Sequence, residues 1–138
     1  MKHQQEVRVY YHDTDSYGVV WHGSYVRWLE EGRVELCEML GLKLDDLQAQ
    51  GITFPVVDMH IRYKLSALMN DRLIIETSIL ELKPMSVTFA HVIKNKDTQK
   101  VNLTAETTVV AIDKTGKLIK RLPENIYNAF SSALKSGE

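Results

Sequence analysis

The sequence predicts an α+β fold in which one long antiparallel β-sheet wraps around a single central α-helix. Three observations carry that prediction: a period-2 stretch near the N-terminus, one apolar stripe at helical spacing between Ser24 and Gly41, and four strand-like stretches in succession from Thr53 to Asp113. Only one segment is long enough to serve as the central helix, and a sheet curled round it is the economical way to bury its apolar stripe.

Taken in chain order, "EVRVYYHDT" alternates Val7, Val9 and Tyr11 against Arg8, Tyr10 and His12, the pattern of a half-buried strand. From Ser24 the period changes. Tyr25, Trp28, Leu29, Gly32, Leu36, Met39 and Leu40 recur at three- and four-residue steps, while Arg27, Glu30, Glu31, Arg33 and Glu35 mostly fill the other faces. This predicts a helix of about 18 residues that stops at Gly41, with Ser24 as N-cap and Gly23 as the alternative. Gly32 costs about 1 kcal/mol against Ala in a helix interior, which implies that a sheet packs unusually close there. "KLDDLQAQG" reads as a short helical turn. The stretches "TFPVVDMHIRYKL", "DRLIIETSILELK", "MSVTFAHVIKNK" and "KVNLTAETTVVAID" read as strands, broken at "SALMND", "KPM" and "KDTQ" and followed by the tight turn "DKTGK", in which Gly116 takes a positive φ. Four strands in succession predict an antiparallel meander. "PENIYNAFSSALK" is a short terminal helix with Pro123 in its first turn, and "SALKSGE" reads as a tail.

Composition bounds the rest. With 44% hydrophobic and 25% charged residues, the 138-residue chain has the profile of one globular domain spanning residues 1–138, with no repeat and no linker-like tract. The 17 basic and 18 acidic residues leave a net charge of -1, so no overall field draws the protein to nucleic acid or to an anionic membrane. "MKHQQEVRVYY" contains no apolar run suited to a signal peptide, and no stretch reaches the roughly 18 apolar residues of a transmembrane helix. The single cysteine, Cys37, has no partner within the chain and reads as a buried thiol. A cytoplasmic location is the expectation.

The chemistry concentrates in "HDTDSYGVVWHGSYVRWLEEGR". Two Asp, two His and one Gly fall within the eleven residues from His12 to His22, just before the predicted helix. His12, Asp13, Asp15 and His22 lack the spacing of zinc ligands, and HExxH and CxxC are absent. There is no G-x-S-x-G elbow and no phosphate-binding G-x-x-x-x-G-K-[ST] loop. Asp13 and Asp15, two apart on an extended segment, would point the same way. Asp13 is expected to brace the turn through backbone N–H groups, while remaining the rival to Asp15 for chemistry. Gly18 fits a turn that needs an unusual φ, or a close approach of substrate to backbone.

"VRVYYHDTDSYGVVWHGSYVRWLEEGRVE" resembles the signature segment of the hotdog-fold 4-hydroxybenzoyl-CoA thioesterase family, and in detail its acyl-CoA thioesterase branch associated with the Tol-Pal cluster. The features are Asp13-Thr14-Asp15, Gly18-Val19-Val20, His22, Tyr25 and Glu31-Gly32-Arg33. A looser likeness continues through "VVDMHIRYKLSALMNDRLIIETSI" and the following strands. The resemblance implies hydrolysis of an acyl-CoA to the carboxylate and free coenzyme A, with Asp15 as the catalytic carboxylate, either nucleophile or general base. It places the backbone N–H of His22 against the thioester carbonyl, where it would stabilise the developing oxyanion; the imidazole could in addition orient water.

Tyr17, Gly18, Val19, Val20, Trp21 and Tyr25 are the expected lining of the substrate channel, and Arg62, Lys64, Lys83 and Lys94 the candidate contacts for the CoA phosphates. Glu31 either supports the site from the helix or pairs with Arg27. Tyr17 stands where small residues are common in the family, and Ser66 and Met69-Asn70-Asp71 where relatives commonly carry Pro and Gly-Asp. No cofactor and no metal are expected. The resemblance implies a substrate cleft between subunits, hence self-association as a dimer or tetramer. Short-chain or aromatic acyl groups both suit the channel, and an acyl-carrier-protein thioester is conceivable. The alternatives are a hotdog hydratase or dehydratase, and a non-catalytic acyl-binding domain.

Overall fold

Residues 1–135 are described by the computed structural model. Five strands, β1 (Lys2–Arg8), β2 (Val56–Tyr63), β3 (Arg72–Leu82), β4 (Ser86–Asn95) and β5 (Val101–Val110), pair antiparallel in the order β1-β3-β4-β5-β2. The long helix α1 (His22–Met39) packs on β1, β3 and β4, the short α2 (Leu44–Ala49) lies against its C-terminal end, and α3 (Glu124–Lys135) packs on β3. This is the hotdog arrangement. Alternation along the strands turns Leu73, Ile75, Thr77 and Ile79 of β3, Phe89 and His91 of β4, and Leu103 and Thr107 of β5 inward, where all are buried. Tyr25, Trp28 and Leu29 of α1 close one core cluster with Ile75, Ile93 and Leu103; Leu36 and Cys37 close a second with Leu47, Phe89, Ile126 and Phe130. In that second cluster burial pushes the Cys37 thiol pKa up to about 12.

At Gly32, α1 seats closely on the sheet. A Cβ there would fall on Thr77 Oγ1 and lie 3.3 Å from Ile75 Cγ2, which answers why a helix interior carries a glycine. The helix ends as its sequence foretells. Gly41 takes φ +80° and donates to the Glu38 carbonyl, and Leu42 donates to Cys37 O at 2.8 Å, the paired bonds of a Schellman cap.

Several boundaries differ from the sequence expectation. The first strand ends at Arg8, and Tyr11–Asp13 form a 3₁₀ turn, because the Asp13 carboxylate accepts the Tyr10 N–H at 2.9 Å and curls the chain; Tyr11 is 81% exposed. The N-cap of α1 is Trp21, with neither Gly23 nor Ser24 in that role, since the Ser24 hydroxyl is committed to the Asp13 carbonyl at 3.1 Å. The meander is confined to β3-β4-β5. β1 occupies the free edge of β3, from Lys2 opposite Ser78 to Arg8 opposite Arg72, so β2 pairs with β5 at the far side of the sheet. The connection 64–71 must then cross the N-terminal end of α1, where Ala67 O accepts the Val20 N–H at 2.9 Å. Of the tail-like "SALKSGE", α3 continues through Lys135 with Ala133 buried, and residues 136–138 lie outside the described residues.

Candidate active site

The loop between the 3₁₀ turn and α1 is a closed turn. Asp15 N–H donates to Val19 O at 2.9 Å, Gly18 N–H to Asp15 O at 3.1 Å, and Thr14 bridges Val20. Gly18 sits at φ +81° with open space around it, so conformation is what a glycine supplies here. Asp15 Oδ1 accepts the Tyr17 N–H at 2.8 Å. Outside this turn, Val19 bridges Leu68, which ties the loop to the 64–71 connection.

Helix α1 then begins with no side-chain cap, and the His22 and Gly23 N–H groups have no acceptor among the described residues. Unpaired N–H groups at a helix start attract a developing negative charge. Asp15 and His22 line one open cavity of about 400 Å³ together with Val20, Tyr25, Tyr63, Lys64, Leu65 and Ser66. Its walls are fixed from behind. The Tyr25 hydroxyl accepts the Ala67 N–H at 3.0 Å, its ring packs 5.8 Å from that of Tyr63, and burial raises its phenol pKa. Asn102 O accepts the N–H groups of both Lys64 and Leu65, while its side-chain amide donates to Leu65 O at 2.9 Å. A carboxylate, the unpaired helix start at His22, one cation and the hydroxyl-bearing Tyr25, Tyr63 and Ser66 thus share a partly apolar cavity, a set suited to acyl transfer.

The other candidates are distributed differently. Asp13 faces away from Asp15, contrary to the same-side expectation, because the 3₁₀ turn rotates it inward; it is 2% exposed and its Oδ1 accepts the Arg27 guanidinium at 2.6 Å. Glu31 pairs with Arg27 at 3.4 Å and accepts from Gln5 Nε2 at 3.3 Å, so it does not reach the Asp15 cavity. Tyr17 is 89% exposed and does not line the Asp15 cavity, since the Gly18 turn directs it to solvent. Trp21 also misses the cavity: its half-exposed indole folds over Gly23 and tilts against the His22 ring at 5.1 Å.

Alternation along β2 puts Arg62 on the opposite face from Ile61 and Tyr63, in a separate cavity of about 590 Å³ with His60, Leu80 and Glu106. That cavity is the larger, but it has no carboxylate beside unpaired helix N–H groups. Lys94 is paired with Glu76 at 3.2 Å and Lys83 with Glu81 at 3.7 Å. Tyr63, Leu65 and Asn102 were not foreseen; Tyr63 was legible as the inward neighbour of Arg62, whereas Asn102 reaches the site only through β2–β5 pairing. Among the described residues no three His, Cys, Asp or Glu side chains converge as metal ligands.

Residues 9–130 match the family described as the thioesterase-like superfamily. Acyl-CoA thioester hydrolase YbgC of Escherichia coli O6:H1 is 36% identical over 124 residues, covering 90% of this chain and 92% of that protein. Among solved structures, the DHNA-CoA thioesterase from Staphylococcus aureus superimposes with a TM-score of 0.88 at 26% identity, over 99% of this chain and 95% of that one. The 1,4-dihydroxy-2-naphthoyl-CoA thioesterase Slr0204 from Synechocystis shares the fold with a TM-score of 0.85 at 22% identity, over 95% of this chain and 96% of that one.

Proposed function

The chain belongs to the thioesterase-like superfamily, and we propose that it is an acyl-CoA thioesterase converting a short-chain or aromatic acyl-CoA and water into the carboxylate and free coenzyme A. The observation that carries this reading is that Asp15 and the unpaired start of α1 at His22 open on one cavity. Asp15 acts on the thioester carbonyl in one of two ways. As nucleophile its carboxylate adds to the carbonyl carbon, the C–S bond breaks, the thiolate leaves, and water hydrolyses the resulting anhydride; as general base it takes a proton from the attacking water. In either route the carbonyl oxygen gains negative charge, which the His22 N–H and the positive end of α1 stabilise.

Val20, Tyr25, Tyr63 and Leu65 form the apolar wall for the thioester, and Lys64 at the rim meets a CoA phosphate. Residues 1–138 act as one domain, in the cytoplasm, and the working form is a dimer or tetramer. Among the described residues the outer edge of β2 is unpaired, and Tyr17 and Trp21 stand exposed near the cavity, so a second subunit would complete the cleft there. Support for the substrate class comes from the Escherichia coli relative that is named an acyl-CoA thioester hydrolase. The reading is tested by thiol release from acetyl-, butyryl-, decanoyl- and benzoyl-CoA. A hydratase would consume an enoyl-CoA without releasing thiol, and an acyl-binding domain would release none.

A further inference from the structure

We propose that the Asp13–Arg27 ion pair is a positioning element for the reaction, fixing the Asp15 loop against the first turns of α1. The inference rests on the reading of Asp15 as the reacting carboxylate.

Asp13 is 2% exposed, and a carboxylate so buried must be paired and hydrogen-bonded. It gathers four bonds from three parts of the chain. Oδ2 accepts the Tyr10 N–H at 2.9 Å and Oδ1 the Arg27 guanidinium at 2.6 Å, while its carbonyl accepts the Trp21 N–H at 2.9 Å and the Ser24 hydroxyl at 3.1 Å. One residue therefore joins the chain entering the loop to the N-cap, the first turn and the second turn of α1. Residues 14–20, which carry Asp15, are cross-linked internally by the Asp15–Val19, Gly18–Asp15 and Thr14–Val20 pairings, so they stand as a unit on this base. The placement of the Asp15 carboxylate relative to the His22 N–H is set where that base is anchored.

Asp13 and Arg27 do not meet substrate themselves. They line a different cavity, with Trp28 and Glu31, that shares no residue with the one at Asp15. Arg27 is in turn steadied by the Trp28 ring, whose centroid lies 5.6 Å from the guanidinium carbon, whereas its pair with Glu31 at 3.4 Å is solvent-exposed and adds little. Without Arg27, the buried carboxylate would retain one backbone N–H and the exposed His12, 3.5 Å away. It would then admit water, and the loop base would open.

The test compares full-length native protein with Arg27→Gln, Arg27→Lys, Asp13→Asn, the Asp13→Asn/Arg27→Gln double variant and Glu31→Gln. Thiol release and backbone amide exchange are both measured. A displacement of about 1 Å at a reacting group can cost about 100-fold. Arg27→Gln is therefore expected to lower kcat by about 10- to 100-fold with KM within about threefold, and to speed exchange at the Asp15, Val20 and Trp21 amides. Arg27→Lys recovers part of the rate, because it restores charge without the planar fork. The double variant is no slower than the slower single variant, because the two side chains act as a unit. Glu31→Gln leaves kcat and exchange within about twofold.

A lower melting temperature in Arg27→Gln, with native kcat per folded molecule and native amide protection, would overturn the inference and leave the assignment of Asp15 standing. Full activity in Asp15→Asn would instead overturn the assignment, and with it the catalytic part of this inference. Amide exchange then decides the anchoring of the loop, and unchanged exchange in Arg27→Gln would overturn that as well.

Discussion

Gly32→Ala probes the seating of α1 on the sheet. The added Cβ falls on Thr77 Oγ1 and lies 3.3 Å from Ile75 Cγ2, and both side chains are fully buried. Thr77 has little freedom to give way, because its Oγ1 meets His91 Nδ1 at 3.3 Å and the other imidazole nitrogen meets Thr107 Oγ1 at 3.0 Å. Either α1 lifts from β3 or Thr77 turns and abandons its hydrogen bond. Overpacking of this kind costs about 1–3 kcal/mol, and losing the bond about 1 kcal/mol more. The better helix propensity of alanine returns about 1 kcal/mol. The net expectation is a loss of about 1–3 kcal/mol, or roughly 4–12 °C in Tm for a chain of this size.

Thermal unfolding followed by circular dichroism measures the loss. A Thr77→Ala background supplies the control: with the Thr77 hydroxyl removed, the same Gly32→Ala change should cost much less, giving a favourable coupling in the double-mutant cycle. A Gly32→Ala variant as stable as native, or more so, would refute the close seating of α1 on β3, since an unobstructed helix gains from that substitution.

Other consequences can be read out separately. Burial depresses the His91 pKa to about 4, with the Arg33 charge adding to the effect, whereas an unfolded histidine titrates near 6.5. The unfolded chain thus takes up the proton first. The stability that neutral His91 contributes is complete above about pH 6.5 and is lost as pH falls from there through about 4, a change of order 3 kcal/mol, which denaturant unfolding across pH measures and His91→Gln flattens. Gly41→Ala, at φ +80°, should cost about 1–2 kcal/mol in the same assay, because alanine is strained in the left-handed region. The buried Cys37 thiol, pushed up to about 12, should resist a thiol reagent at pH 8 in the native protein and react fully in denaturant. Lys64→Gln should raise KM for an acyl-CoA several-fold with little change in kcat, the signature of lost phosphate binding away from the reacting atoms.

What was legible in the sequence depended on local physics. Gly41 and Gly32 announced the helix end and the helix–sheet contact because each records a constraint at its own position. Asp15 and His22 were legible as a pair because a short loop and a helix start hold them near each other. What escaped was set by distant pairing. β2 lies beside β5 only because β1 has taken the edge of β3, and from that follow the path of residues 64–71 and the roles of Leu65 and Asn102. Strand parity turns Arg62 away from the Asp15 cavity, which its neighbour Tyr63 on the other face already implied. Tyr17 is exposed, and Trp21 is half-exposed against Gly23 and the His22 ring, so neither lines the Asp15 cavity within the single chain. Arg27 looked like any charge on a solvated helix face, and its partner was revealed only by the inward turn of Asp13.

The proposed chemistry rests on Asp15 at the start of α1. Thiol release from the four acyl-CoA esters, measured for native protein and for an Asp15→Asn variant shown by circular dichroism to be folded, tests it most directly. Turnover of at least one ester by the native protein and loss of most of that rate in Asp15→Asn are expected, whereas a folded variant at full rate would rule out Asp15 as the reacting carboxylate and turn attention to Asp13.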